Sequence, residues 1–287
     1  MSVAQPQSQS PAPTTNNRQI TIVSHSTLFY WWPVWALGFL MGIISVFSPA
    51  KMAVVPDGTR AMRNVEVPVI GKDGKAQPEK REILVLPENK HLPTVDPGDP
   101  NSAPQDPRLH IWPGKGFGVL FATILLLVIV ITNVPLRGMW SFMVIFLIIA
   151  LSIIFALAGW WETILRHLSY LDIRINAGGY FFLSGILFVI WLGTVLIFDK
   201  QVYMVFTPGL FKVCTEVGGG EQSYSTIGMT VEKQRSDLFR HWILGLGSGD
   251  LIVKTTGAQA HHFEMANVLF VGRKVQQIED MVRKIPD

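Results

Sequence analysis

The chain has 287 residues, 49% of them hydrophobic and only 16% charged, with a formal net charge of +3. A composition this apolar fits a membrane class, and charges this nearly balanced offer no nucleic-acid footprint. The single cysteine, Cys214, excludes an internal disulfide and any multi-cysteine metal site; in its strand-like run it is expected to be a small buried residue.

Residues 1 to about 20 are rich in Gln, Ser, Pro, Thr and Asn, with Arg18 the only charge. They lack the apolar content to form a core, so a disordered segment is predicted ahead of the first span, residues 1–27, with a short alternating piece at Gln19-Ile-Thr-Ile-Val23. The first apolar run is Leu28 to Phe47, and Trp31, Trp32 and Trp35 crowd its start, where an interfacial aromatic belt would lie. Residues 28–48 are therefore read as the first membrane helix. Ser48-Pro49-Ala50 only roughly matches a small-residue cleavage site, and the apolar run exceeds a usual signal-peptide core, which favours an uncleaved signal anchor over cleavage. Either reading leaves the next segment outside.

That segment, residues 49–115, has two halves. Val65, Val67 and Val69 alternate, then come Gly71-Lys-Asp-Gly74 and the strand-like Glu82-Ile-Leu-Val-Leu86, which predicts a β-hairpin. Leu92 to Pro107 is punctuated by proline and predicts an extended, stiff strap that returns to the membrane at Trp112.

Phe117 to Val134, Met139 to Ala158 and Tyr180 to Phe198 are three further runs of about 18–20 apolar residues, enough to cross roughly 30 Å of hydrocarbon. None carries an ionisable residue in its interior, and none is broken at its centre, unlike the spans of transporters and proton pumps. Pro135-Leu-Arg-Gly138 predicts a tight antiparallel hairpin of spans two and three. Glu162 to Arg174 continues in a helical pattern, an interfacial helix near 160–175 or an extension of span three, until Asn176-Ala-Gly-Gly179 breaks it. Glu162, Arg166, His167, Asp172 and Arg174 could form a polar site at the membrane surface, but a solvated face with ion pairs is the favoured reading. Four spans put both termini on one side. Among short loops that side carries Arg18, Arg137, Lys200 and Lys212 against Arg166 and Arg174, which favours cytoplasmic termini and an external loop 49–115. Lys51, Arg108 and Lys115 pull the other way.

From residue 200 the pattern changes to period two. Val202–Phe206, Leu210–Val217, Gln222–Ile227, Thr230–Gln234, Trp242–Leu246, Leu251–Thr256 and His262–Met265 predict seven antiparallel strands. Val271, Val275, Ile278 and Val282 then predict one amphipathic capping helix. Tyr203-Met-Val-Phe-Thr-Pro-Gly-Leu210, the Gly245-Leu-Gly-Ser-Gly-Asp-Leu251 turn and Glu264-Met-Ala-Asn-Val268 before the helix resemble the bacterial pleckstrin-homology (PH) domain, a family commonly fused to membrane helices. The resemblance covers residues 200–287. It implies a seven-stranded, helix-capped sandwich or open barrel, a bacterial inner membrane location, and a binding or assembly role without a catalytic centre.

No nucleophile–base motif, zinc spacing or phosphate loop is found, so no enzyme activity and no cofactor are expected. Gly245-Leu-Gly-Ser-Gly249 is followed by a strand, not a helix, and reads as a hairpin turn. His261 and His262 are adjacent on a strand and point to opposite faces, so with Glu264 they cannot easily share one metal ion. Lys233, Arg235, Arg240 and His241 form the densest basic cluster and are the candidate lipid or partner contacts, although Glu232 and Asp237 interrupt them. The function expected from the sequence is a membrane-anchored scaffold or accessory subunit. Its partners would be the lipid bilayer and other membrane subunits. A lipid head-group-binding module is the alternative.

Overall fold

A computed structural model describes residues 19–70, 76–134, 138–215, 220–235, 237–256 and 260–283. The first 18 residues, the turn from Gly71 to Gly74 and the link Pro135 to Arg137 lie outside the described residues. Strand β1 (Ile20–Val23) leads through a 3-10 turn, Thr27–Trp31, into α1 (Trp32–Val46). Pro33 opens that helix, where its missing N–H has no partner to lose. Then come β2 (Lys51–Met52), β3 (Arg60–Ile70), β4 (Ala76–Val85) and β5 (Leu109–His110). Helices α2 (Gly116–Asn133), α3 (Met139–Leu157), α4 (Trp160–Ser169) and α5 (Ala177–Gly193) follow. The last part is β6 (Val202–Thr207), β7 (Leu210–Thr215), β8 (Gly220–Ser225), β9 (Thr230–Gln234), β10 (Gly249–Lys254), β11 (His262–Val268) and α6 (Val271–Arg283).

Among the described residues four helices are long and apolar enough to cross a membrane: Thr27–Val46, Gly116–Asn133, Met139–Leu157 and Ala177–Gln201. The last is longer than α5 because a π-helical stretch, Thr194–Phe198, and one 3-10 turn continue it. α1 and α5 pack most closely. A Cβ at Gly38 would collide with Ser184 Oγ, and one at Gly42 would sit 3.0 Å from the Phe181 ring, so these glycines let the two backbones approach. Phe121 and Val128 of α2 complete a core with Val34, Met41 and Tyr180. α3 does not join it. Ser141 is its one buried residue among those described, so the tight pairing of spans two and three does not occur. Between two apolar helices in an apolar medium only close packing and hydrogen bonds favour contact, and α3 has no glycine to permit it.

α4 ends at Ser169, five residues short of the predicted limit. Residues 171–175 are not helical, and their path crosses the start of α2 where Gly118 faces the Ile173 carbonyl; any Cβ there would collide with it. The long loop leaves and returns at one place, because β2 pairs with β5 and Ile111 bridges to Asn176, the residue whose side chain caps α5. The predicted hairpin is present and longer than expected, β3 against β4, with a register shift at Met62/Val65 where Asn64 has φ 57°. The proline-rich strap is not extended. It doubles back, Thr94 bridging Pro104, because Asp96 and Asp99 accept backbone N–H bonds from Gly98 and Asn101 and turn the chain.

The C-terminal β-rich region holds two antiparallel sheets, β1-β6-β7-β8 and β11-β10-β9, with α6 packed on them. The segment before the first span is not disordered throughout residues 1–27: Ile20–Val23 pairs with Tyr203–Phe206, and Ile22 is fully buried. Ile22 joins Met204 and Phe206 of β6 in one core, so the alternation of this short strand continues the apolar face of its partner. Trp242–Leu246 is not a strand; Phe239–Leu244 forms a single π-helical turn. The tail thus contributes six strands and the N-terminal segment the seventh.

Candidate functional site

The β-rich region is joined to one end of the helices by a buried polar junction. Asp199, at the end of the fourth apolar helix, accepts from the Ser26 backbone N–H at 3.0 Å and lies 2.9 Å from His25 Nδ1. A carboxylate at that point caps the first turn of the first apolar helix and complements its dipole. Tyr30 donates to Asn267 Oδ1 at 2.9 Å and shares a hydrogen bond with Ser248 Oγ at 3.0 Å. Asn267 in turn donates its side-chain amide to the His25 carbonyl and its backbone N–H to Asp250 Oδ1. Trp32 Nε1 donates to the Leu244 carbonyl at 2.8 Å, and Trp191 Nε1 to the Phe29 carbonyl at 3.0 Å. Apart from the Asn267–Asp250 bond, which lies within the β-rich region, each link joins the end of an apolar helix to the β-rich region or to another helix end.

The π-helical turn belongs to this junction. Asp237 accepts from the Arg240 backbone N–H at 2.9 Å, and the Arg240 guanidinium reaches the Thr132 carbonyl at the end of α2. A cation there complements the last carbonyls of that helix. His241 is 1% exposed, with Nε2 3.6 Å from Asp250 Oδ1, too far for a direct hydrogen bond. Gly245 is required by the crowding of this turn: a Cβ would collide with Ser248 Oγ and come within 2.8 Å of the Arg240 carbonyl and of the Tyr30 ring.

The four basic candidates therefore divide. Arg240 and His241 are buried in the junction, and their contribution to an exposed contact surface is withdrawn. They face inward because Leu244, on the same turn, packs in the helix core. Lys233 and Arg235 are exposed and line a groove of about 700 Å³ between β9 and α6, with Phe270, Arg273, Gln276 and Glu279. Arg235 donates to the Gly247 carbonyl at 3.2 Å, and the Arg273 guanidinium lies over the Phe270 ring at 5.7 Å. Comparison with protein-family models, curated proteins and solved structures returns no match. What this groove and the junction do must come from their own chemistry.

Of the acidic and basic residues after α3, Asp172 and Arg174 are paired. Arg174 donates to Asp172 at 2.7 Å and Lys115 lies 3.9 Å from the same carboxylate, all exposed. The Arg174 hydrogen bond, with the two cations nearby, holds the Asp172 pKa below its usual value. Glu162 and His167 are exposed on α4. Among the described residues no group of three or more His, Cys, Asp or Glu side chains is placed to hold a metal ion. In the sequence Asn267 stands out only within the Glu264–Val268 motif, and His25, Tyr30 and Asp199 of the junction do not stand out as candidate site residues. Their signal was available: two polar residues at the edges of otherwise uncharged apolar runs, and the Asn-Val pair before the last helix.

Proposed function

We propose that this chain is a non-enzymatic, multi-pass membrane protein that carries a PH-like module on its first, second and fourth spans and serves as a scaffold or accessory subunit of a membrane complex. The observation that carries this reading is the β3–β4 hairpin. It is two strands of 11 and 10 residues, exposed along most of their length. Ile70 is 75% exposed, and Met62 and Leu84 are about half exposed. A two-stranded ribbon is marginal in water without a third strand or a packed face, so a neighbouring protein is the natural cover. The nearly bare apolar surface of α3 suits either lipid or a partner's helix. Four strands facing three, capped by one helix, supports the PH-like reading of the β-rich region.

Cytoplasmic termini and an external hairpin are the orientation that the positive charges favour, in the bacterial inner membrane that the PH-like resemblance implies. Retention of α1 is favoured too, because cleavage at Ser48-Pro49-Ala50 would remove β1 and the α1 face against α5. The test is purification from native membranes in a mild detergent, with size analysis and mass spectrometry. A stoichiometric companion lost on deletion of residues 60–85 supports the scaffold; a solitary particle with or without the hairpin refutes it.

A further inference from the structure

Next to the polar junction the chain presents three large apolar side chains to the outside. Trp242 and Ile243, on the π-helical turn, and Leu246, two residues past its end, are 66%, 59% and 61% exposed, while Arg240 and Leu244 of that turn contact the end of α2 and the start of α1. With Arg240, His241 and Leu244 buried, Trp242 and Ile243 are the residues of this short turn left facing outward. A tryptophan beside two aliphatics at a span end matches the composition of an interfacial anchor.

The basic groove begins at the same turn. Gly247 follows Leu246, lines the groove and accepts the Arg235 bond. Phe270, half exposed, lines the same groove, with the Arg273 guanidinium over its ring. Lys233, Arg235 and Arg273 have no carboxylate partner among the described residues, whereas Glu232, on the same strand, is engaged by Lys254 at 3.0 Å. Glu279 is the one acidic side chain lining the groove, against three cations. Three cations held beside an apolar wedge suit an amphipathic anion, whose phosphate lies at head-group level while its chains remain in hydrocarbon.

We propose that the groove between β9 and α6 binds the phosphate of an anionic membrane lipid, with Lys233, Arg235 and Arg273 as ligands and Trp242, Ile243 and Leu246 seated in the adjoining bilayer interface. The site rests on the membrane reading above and is independent of the scaffold reading. A soluble phosphate would gain nothing from the wedge, so the lipid is the occupant. The consequence is a module held against the membrane on its groove side, in a fixed orientation.

The test uses the full-length protein in mild detergent, offered equal amounts of phosphatidylglycerol and phosphatidylcholine, with retained lipid read by native mass spectrometry. Phosphatidylglycerol is expected to be retained at least about tenfold over phosphatidylcholine. Each of Lys233→Gln, Arg235→Gln and Arg273→Gln should lower that preference by about fivefold, the effect of one basic residue at a charged surface. The hairpin control Arg60→Gln/Arg63→Gln/Arg81→Gln should leave it unchanged, and Arg273→Lys should retain most of it. No preference in the wild type, or an unchanged preference in the three folded variants, overturns the site. Displacement of the lipid by millimolar inorganic phosphate would assign the groove to a soluble anion and overturn it equally. The wedge is tested by a nitroxide on Ile243→Cys in a Cys214→Ala background, in liposomes. It should be open to oxygen and shielded from a water-soluble nickel complex, and the reverse order overturns the seating. Release of the wild-type protein from membranes by alkaline carbonate would instead refute the membrane reading itself, with the scaffold reading tested separately by its companion.

Discussion

At the scale of single residues, the junction depends on groups that have no substitute. Tyr30 is fully buried, and its hydroxyl is shared by Asn267 and Ser248. Tyr30→Phe keeps the ring and removes those bonds, leaving buried polar partners unsatisfied. The expected cost is about 1–3 kcal/mol, read as a lower denaturation midpoint of the full-length protein in detergent. Gly245→Ala should cost at least about 1–3 kcal/mol by overpacking, because the colliding atoms include the Arg240 carbonyl, which cannot rotate away. A Gly245→Ala protein with an unchanged midpoint would show that the turn is looser than described. Lys274 gives a pH dependence. Burial lowers its pKa below the ordinary lysine value, so the unfolded chain binds more protons and stability rises with pH between the folded and unfolded values. Lys274→Met is expected to raise the midpoint slightly at neutral pH and to flatten the rise toward alkaline pH.

At the scale of elements, β1 is the informative one. Four residues ahead of the first apolar helix add the outer strand to a sheet whose other strands begin about 180 residues later, through Ile20↔Phe206 to Val23↔Tyr203. Ile22 enters the same core as Met204, Phe206, Leu251 and Ile278. Ile22→Ala should destabilise the β-rich region by about 2–5 kcal/mol and make residues 202–283 more sensitive to limited proteolysis, while the helices stay protected in detergent. Proteolysis spread evenly over the chain, or unchanged, would deny β1 that role. The local alternation of Gln19-Ile-Thr-Ile-Val23 was readable as a strand, but its partner was not, because nothing in a four-residue pattern names a sheet edge so distant. The Trp242–Leu246 run was misread for a related reason. Its apolar residues look like a strand, yet Leu244 within it and Arg240 just before it are claimed by the ends of α1 and α2. The proline-rich strap shows the same limit in polar terms: proline stiffens the backbone locally, while the Asp96 and Asp99 side-chain bonds decide that the chain turns.

At the scale of the whole molecule, pairing of β1 with β6 constrains topology. The segment before the first apolar helix and the region after the fourth must lie on one side of any membrane that the four helices cross, and the β3–β4 hairpin on the other. With Cys214→Ala as a cysteine-free background, single cysteines at Ser24, Ser102 and Ser223 should show it in intact cells. Ser24→Cys and Ser223→Cys are expected to share one accessibility to an impermeant maleimide and Ser102→Cys to have the opposite one. Labelling of Ser24→Cys and Ser223→Cys from opposite sides would contradict the pairing. The amino-acid sequence alone determined the four apolar helices, the hairpin, the strand-rich tail and its terminal helix. Apolar length and period are local properties, written where the element forms. Tertiary structure alone decided which strand closes the sheet, that α3 stands apart from its neighbours, and that Arg240 and His241 turn inward while Lys233 and Arg235 meet Arg273 across a groove. Those outcomes depend on which distant surfaces compete for a side chain, and burial of a charge is settled only when its partner, here the end of α2 beside Asp237, has been brought to it.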